Sequence, residues 1–390
     1  MRLSRDYFYT LREDQRNEDS NSGNLLVRAG MIKKTSSGIY MMLPMGLKVV
    51  RKIEEIIREE MEKIHSLEVS MPALIPEETY IASGRRDTFG SSMFSLTDRN
   101  GKPFVLGPTH EELFAQAARM DIKSYKDLPR SLFQFQTKYR DEPRPRFGLI
   151  RVREFTMKDA YTFDRDLEGL EKSYQAMFEA YKRIFDRLKI DYVIVRADTG
   201  AMGGLLSEEF QAVCDIGEDI LVMEDSSGYA SNLEVAECVP SDPPSEEPMA
   251  EKYSKVHTPQ AGTIEEVVGY LHEDVKRFVK TLLYKVDDQF YAVLVRGDRD
   301  VNETKVMKLV GGNEIELAAP EDVMRLTHAP VGFAGPIGLD IPVLMDLEVE
   351  RMRNFIVGAN EADQHFKNVN LRDFEVAKVA DLREIQEGDM

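Results

Sequence analysis

Residues 133–142 and 151–159, FQFQTKYRDE and RVREFTMKD, each alternate side-chain character at a period of two, and PRPRFGLI lies between them. Both flanks alternate in the manner of strands, so the whole reads as a β-hairpin with a long basic loop. A strand shows alternate side chains to one face. Arg140 and Glu142 are therefore expected to point the same way, as are Arg151, Arg153 and Phe155.

The hairpin is also where the charge of the chain reverses. The 390 residues carry a formal net charge of -18, which argues against a protein coated in nucleic acid. Between residues 130 and 160 there are eight basic side chains, Arg130, Lys138, Arg140, Arg144, Arg146, Arg151, Arg153 and Lys158, against four acids, Asp141, Glu142, Glu154 and Asp159. An anionic small ligand needs such a local reversal. A solvated basic loop gives the same count, and charge alone leaves both open.

The length allows two domains. No apolar run approaches the roughly 18 residues of a membrane span, and the start, MRLSRDYFYTLRED, has no apolar signal core, so export is not expected. Two lone cysteines, Cys214 and Cys238, form neither a disulfide framework nor a CxxC pair, which fits a reducing cytoplasm. No metal site is expected.

Apolar residues at steps of three or four predict an amphipathic helix over 47–65, with Leu47, Val50, Ile53, Ile57, Met61 and Ile64 inward. An extended segment pinned by Pro72 and Pro76 follows. A second helix is predicted over 167–188, with Leu170, Tyr174, Met177, Tyr181, Ile184 and Leu188 on one face, and then a strand over 192–195. The run PSDPPSEEP at 240–248 reads as a linker. Beyond it, Thr263 with Glu266 forms a capping box for a helix expected to reach Phe278. A strand at 290–295, a helix near 302–309, a turn at Gly335-Pro-Ile-Gly338 and a buried strand at 341–344 complete a compact α/β module.

The segments YRDE ending at Glu142 and REF ending at Phe155 resemble the motif 2 hairpin of class II aminoacyl-tRNA synthetases. The helix ending in VSMP at Pro72 resembles motif 1, which builds the dimer interface in that group. LLVRAGMI at 25–32, GIYMMLPMG at 38–46 and GPTHEE at 107–112 resemble the bacterial-type prolyl-tRNA synthetases, and the likeness covers essentially the whole chain. It implies that Arg140 clamps the α-phosphate of ATP and the carboxylate of proline, a task suited to a planar, permanent cation. It implies that Glu142 accepts hydrogen bonds from the nucleotide side, Phe155 stacks on adenine and Arg151 faces the phosphates. Thr109 and Glu111 would hold the imino group of proline, with Met157, Asp159 and Tyr161 lining its pocket. Taken singly these residues have plainer uses, as an ion pair, a core aromatic or a helix cap; their joint order points to the synthetase. Proline, ATP with Mg²⁺ and tRNA are the implied partners, in a cytoplasmic homodimer formed through motif 1.

The second half resembles the insertion domain of those enzymes, which hydrolyses mischarged alanyl-tRNA. Alanine is smaller than proline, so a pocket cannot exclude it by size, and a second site restores fidelity; the synthetases are the standing example of this logic. Matching positions are Lys280, set to contact the tRNA end, Asp346 and His365, set to orient substrate or water, and Gly335 in the loop shaping the pocket. Two departures stand out. After Gly203-Gly204 the chain has Ser207-Glu-Glu-Phe210 where the family often has Ser-His-Glu-Phe. No motif 3 or anticodon-binding domain follows before Met390, so this chain alone is expected to be a fragment with little or no aminoacylation activity, and Phe155 to lack its opposing cation.

The expected architecture is α/β in the α+β sense: a class II catalytic domain with a mainly antiparallel sheet over 1–224, and a smaller α/β editing domain over 225–390. The expected function is proline–tRNA ligation with editing. An editing-only hydrolase and a non-catalytic synthetase paralogue are the alternatives.

Overall fold

A computed structural model describes residues 5, 7–16, 18, 20–200, 206–214, 217–312 and 314–390. Gly203 and Gly204 lie outside the described residues. The chain divides into two compact units, Met1–Tyr192 and Val193–Met390.

The first unit begins with α1 (Asn21–Arg28), the hairpin β1 (Ile32–Ser36) and β2 (Ile39–Met42), and α2 (Pro44–Lys63). Pro44 starts α2, where a missing N–H costs nothing. The extended segment after it resolves into two short strands, β3 (Leu67–Glu68) and β4 (Leu74–Pro76), with irregular backbone between. Next come α3 (Glu77–Ser83), α4 (Arg85–Phe89), β5 (Ser95–Thr97), β6 (Pro103–Leu106) and α5 (Glu111–Asp121). The expected hairpin is formed by β7 (Arg130–Tyr139) and β8 (Glu154–Phe163), paired antiparallel along their whole length. Sheet orders are β3-β7-β8 and β4-β6-β5.

One face of the hairpin is apolar. Phe133 packs with Met61 of α2 and with Ala180 and Ile184 of α6 (Leu167–Leu188), and Phe135, Ile57, Met177 and Tyr181 pack around them. Asp166 caps α6 by accepting from the Gly169 N–H, and Lys189 ends it in a left-handed conformation. The inward stripes are shorter than the periodicity predicts: Leu47 and Ile53 on α2 and Leu170 and Tyr174 on α6 are exposed. Each lies toward the N-terminal half of its helix, away from the Met61–Ile184 contact.

In the second unit β9 (Tyr192–Arg196), β10 (Glu208–Ala212), β11 (Leu221–Glu224) and β12 (Tyr229–Asn232) form a sheet of order β10-β9-β12-β11. There follow β13 (Ser254–His257), α7 (Ile264–Leu271), the hairpin β14 (Val279–Val286) and β15 (Gln289–Arg296), α8 (Glu303–Val310), β16 (Ile315–Leu317) and α9 (Pro320–Thr327). The chain ends through β17 (Val343–Asp346), α10 (Leu347–Glu350), β18 (Phe355–Gly358), β19 (Gln364–Val369) and β20 (Lys378–Ala380). Five strands run β16-β14-β15-β17-β20, and three run β13-β19-β18. The architecture is thus mixed α and β with mostly antiparallel sheets. The main core lies between the five-stranded sheet and the β18–β19 pair, around Leu283, Leu294, Met345, Phe355 and Val357.

Two sequence expectations change here. The helix capped by Thr263 stops at Leu271 because His272 turns left-handed, and Asp274 then caps a separate 3-10 turn, Val275–Arg277. The run 240–248 is irregular, but it is not a free linker. Arg351 donates to the carbonyls of Pro240 and Asp242, Arg353 to that of Glu247, and Asp242 pairs with Arg296 and Lys276. Proline-rich backbone has few N–H groups to offer a sheet but keeps every carbonyl, and here arginines take them.

The buried carboxylate of Glu60 joins α2 to α6. It accepts from Lys63 at 2.7 Å, Arg183 at 2.8 Å and Arg187 at 2.7 Å. Burial alone would raise its pKa, but the three cations outweigh that and hold it at about 2. A carboxyl depressed on folding stabilises the fold above its ordinary value, and the contribution fades as pH falls toward the folded value. Glu60→Gln is expected to cost about 2 kcal/mol at neutral pH. It should also flatten the acid side of the stability curve between the ordinary glutamate value and pH 2, read by circular dichroism.

Candidate active and editing sites

The other face of the β7–β8 hairpin is polar. Alternation puts Gln134, Gln136 and Lys138 on one side of β7, and the register sets them opposite Asp159, Met157 and Phe155, with Tyr161 one step further on β8. Asp159 is buried at the centre. Its Oδ2 accepts from Gln134 Nε2 and from the Tyr161 hydroxyl, both at 2.9 Å, and its Oδ1 lies 2.9 Å from Lys138 Nζ. Lys138 is fully buried; burial pulls its ammonium below the usual lysine value while Asp159 pulls it back.

The start of α5 closes one side of this face. Thr109 is buried and donates from Oγ1 to Glu111 Oε2 at 2.5 Å. The Tyr80 hydroxyl donates to the Thr109 carbonyl at 2.7 Å. His110, with its own backbone at the cap, is buried between Lys138 and the Pro72 carbonyl. Burial and then the neighbouring Lys138 charge push its pKa down. Arg85 ties both glutamates of the turn, reaching Glu111 at 3.1 Å and Glu112 at 3.0 Å. Burial, followed by the Glu111 charge, drives the Tyr161 phenol upward, so it stays protonated.

Arg140 follows the end of β7. Its Nη2 donates to the Pro108 carbonyl at 3.4 Å, and its guanidinium carbon stands 5.5 Å from the Phe155 ring centroid. Burial lowers its pKa, and Glu111 and Glu142 oppose that. Phe155 therefore has a cation beside it from its own hairpin, distinct from the motif 3 arginine of the sequence expectation. The strand-face expectation for the hairpin ends also needs correction. β7 stops at Tyr139 and β8 starts at Glu154, so Arg140, Glu142, Arg151 and Arg153 belong to the loop. Arg153 turns back to donate to the Glu142 carbonyl at 3.0 Å, and Arg151 bridges to Arg146 through the backbone. Thr109, Glu111, Arg140, Asp159 and Tyr161 are thus gathered at one place, with Phe155 and Met157 along the same face and Arg151 in the loop beyond.

In the second unit, a cavity of about 390 Å³ opens between β14, α7, α9 and the β18–β19 pair. Its wall is mostly apolar, with Val267, Val279, Leu283, Val323 and Val357 prominent. His365 is the imidazole in that wall. Its Nδ1 lies 2.7 Å from the Thr258 hydroxyl, its ring is 5.8 Å from Phe333, and burial lowers its pKa to about 4, so it is neutral near pH 7.

Of the other three editing positions, Gly335 and Lys280 lie at the cavity and Asp346 does not. Its carboxylate accepts from the Glu348 and Leu382 N–H groups, both at 2.8 Å, and pairs with buried Arg383 at 3.2 Å, so its lone pairs serve the end of β17. Lys280 contributes to the wall, but strand alternation puts its side chain on the face of Leu282 and Tyr284. Its Nζ donates there to the Arg299 carbonyl at 2.7 Å and Asp300 at 3.0 Å. Gly335 acts through contact: a Cβ there would come within 1.8 Å of the Gly358 carbonyl oxygen, and one on Gly358 within 2.2 Å of the Ala334 oxygen. The loop thus lies directly on the end of β18, where Gly358 and Ala334 form cavity wall.

Lys138, His110, Gln134 and Arg85 were not singled out by sequence reasoning. Gln134, Gln136 and Lys138, alternating with Phe133 and Phe135, were the available signal on the hairpin, since three polar residues in phase on one strand face need polar company.

Comparison with known proteins assigns two domains to the chain. Residues 94–314 match the tRNA synthetase class II core domain (G, H, P, S and T), and residues 258–375 match the aminoacyl-tRNA editing domain. The chain therefore combines the core of a class II aminoacyl-tRNA synthetase with an editing domain. It is 51% identical over 390 residues to the proline–tRNA ligase of Caldicellulosiruptor saccharolyticus, covering all of this chain and 68% of that protein. The Bacillus subtilis proline–tRNA ligase is 47% identical over 393 residues, with 69% of it covered. The chain belongs to the proline–tRNA ligase family.

An imidazole depressed on folding binds its proton less readily than in the unfolded chain, so stability falls as pH drops from the ordinary histidine value toward 4. The second unit should lose up to about 3 kcal/mol over that interval. His365→Gln should lose most of this dependence, as measured by denaturant unfolding at a series of pH values.

Proposed function

We propose that the polar face of the β7–β8 hairpin is the proline and adenylate site, and that the His365 cavity is the editing site. The family reaction is ATP-dependent activation of proline, transfer to tRNA and hydrolysis of mischarged aminoacyl-tRNA. The observation that carries the first assignment is the convergence of Thr109, Glu111, Arg140, Asp159 and Tyr161 on one buried polar face. Thr109 and Glu111 take the imino group of proline, and Met157, Asp159 and Tyr161 bound its ring. Arg140 holds the carboxylate and the α-phosphate beside Phe155, which carries adenine. Glu142 and Arg151 serve the nucleotide from the loop, and Mg²⁺ enters as the counter-ion of ATP. A carboxylate oxygen of proline attacks the α-phosphorus in line, the bond to the bridging oxygen breaks, and pyrophosphate leaves. No protein nucleophile is needed, so positioning and charge neutralisation supply the rate.

In the editing cavity, neutral His365 orients the ester or the attacking water, and the Gly335–Gly358 contact shapes the wall. Lys280 reaches the tRNA end by leaving Asp300, while Asp346 supports the site from behind through Arg383.

The same reading includes a homodimer through the motif 1 region. Met41 and Met42 of β2 and Leu47, Val49 and Ile53 of α2 are exposed apolar side chains, which suits a subunit interface in this region. Sedimentation should give a dimer, and Ile53→Asp a monomer; a wild-type monomer contradicts this element. A cytoplasmic setting belongs to the reading too, supported by two free thiols. Among the described residues no helix is long and apolar enough to cross a membrane.

Two assays test the assignments. In this chain extended through motif 3, Arg140→Ala should reduce proline-dependent ATP–pyrophosphate exchange by roughly 100-fold or more, and exchange that survives this change contradicts the first site. His365→Ala should abolish alanyl-tRNA hydrolysis while leaving exchange intact; unchanged hydrolysis sinks the second.

A further inference from the structure

Behind the residues that face the proposed substrate lies a continuous buried chain: the Pro72 carbonyl, His110, Lys138, Asp159 and Tyr161. Its proton directions follow from chemistry. An ammonium has protons to give and no lone pair, so Lys138 donates to His110 Nδ1 and meets Asp159 Oδ1 as an ion pair. Neutral His110 then carries its proton on Nε2 and donates it to the Pro72 carbonyl at 3.1 Å. Asp159, paired by charge with Lys138 on one oxygen, accepts the Tyr161 and Gln134 protons on the other. Gln134 in turn accepts from the Met71 N–H at 2.9 Å. Asp159 is thus held through Oδ2 by hydrogen bonds and through Oδ1 by the Lys138 charge at 2.9 Å, its Oδ1 making no hydrogen bond of its own.

Inside this chain the buried charges pair, Lys138 standing 2.9 Å from Asp159 with both side chains buried. A free amino acid carries one charge of each sign. A pocket whose own charges balance takes it without leaving a buried charge uncompensated.

We propose that Lys138 is the positioning residue of the amino-acid pocket: it fixes Asp159, and through it the Tyr161 hydroxyl, and balances the site so that it accepts a net-neutral zwitterion. This rests on reading Thr109, Glu111, Arg140 and Asp159 as the amino-acid site. Lys138 itself touches no substrate. Without it the buried Asp159 charge stands unpaired, and the pocket shifts its preference toward a cation of the same shape.

The test is calorimetric binding of L-proline and L-prolinamide to the full chain, with thermal melting, for the parent, Lys138→Met, Lys138→Met/Asp159→Asn and Glu111→Gln. Prolinamide keeps the ring and the ammonium but lacks the carboxylate. Lys138→Met should weaken proline by roughly tenfold or more and prolinamide much less, moving their ratio by about tenfold. The double variant has no unpaired buried charge, so it should recover the melting temperature and the ratio while still binding proline weakly. A ratio unmoved in Lys138→Met, or a double variant that melts as early as that single one, overturns the proposal. If Glu111→Gln binds proline like the parent, the pocket reading falls with it. If Glu111→Gln binds weakly and the Lys138→Met ratio stays fixed, only the positioning claim falls.

Discussion

A ten-residue antiparallel ladder shows two faces, and in β7 and β8 the two faces carry opposite chemistry. Phe133 and Phe135 look toward α2 and α6 and make the core contact that fixes the hairpin in the first unit. Gln134 and Lys138 look the other way, and there the ladder holds Asp159 at hydrogen-bonding distance from both. The same pairing that buries the apolar side therefore sets the geometry of the polar one. A slip of one residue would exchange the two faces, so register, core and candidate site are a single constraint.

The buried ion pair illustrates how much this arrangement must supply. A lysine and an aspartate taken out of water lose several kcal/mol each in hydration. They persist because each has hydrogen-bonding partners besides the other: Gln134 and Tyr161 on Asp159, His110 on Lys138, and Pro72 at the end of the chain. Such networks define one arrangement of a site, because a half-satisfied alternative is expensive. Asp346 with Arg383 plays a comparable part in the second unit, where it fixes the end of β17 beside the chain at Leu382.

Much of this was legible in the sequence. The hairpin, the α6 helix to the residue and the capping box at Thr263 follow from local periodicity and capping chemistry, which act over a few residues. Thr109, Glu111, Asp159 and Tyr161 come together because family motifs encode a long-range meeting that periodicity cannot. What stayed hidden depends on tertiary neighbours. Nothing local marks Lys138 as fully buried, ties Asp346 to Arg383, or shows the 240–248 run held by Arg351 and Arg353. Likewise, the end of α7 was set by a left-handed His272, which helical periodicity does not register.

The most direct test of the central claim is a crystal structure of this chain with a non-hydrolysable prolyl-adenylate analogue. The account predicts density on the polar face of β7 and β8, with the imino nitrogen against Thr109 and Glu111, the phosphate on Arg140 and adenine on Phe155. An analogue bound elsewhere on the first unit, or a saturating concentration that leaves this face empty, would contradict it.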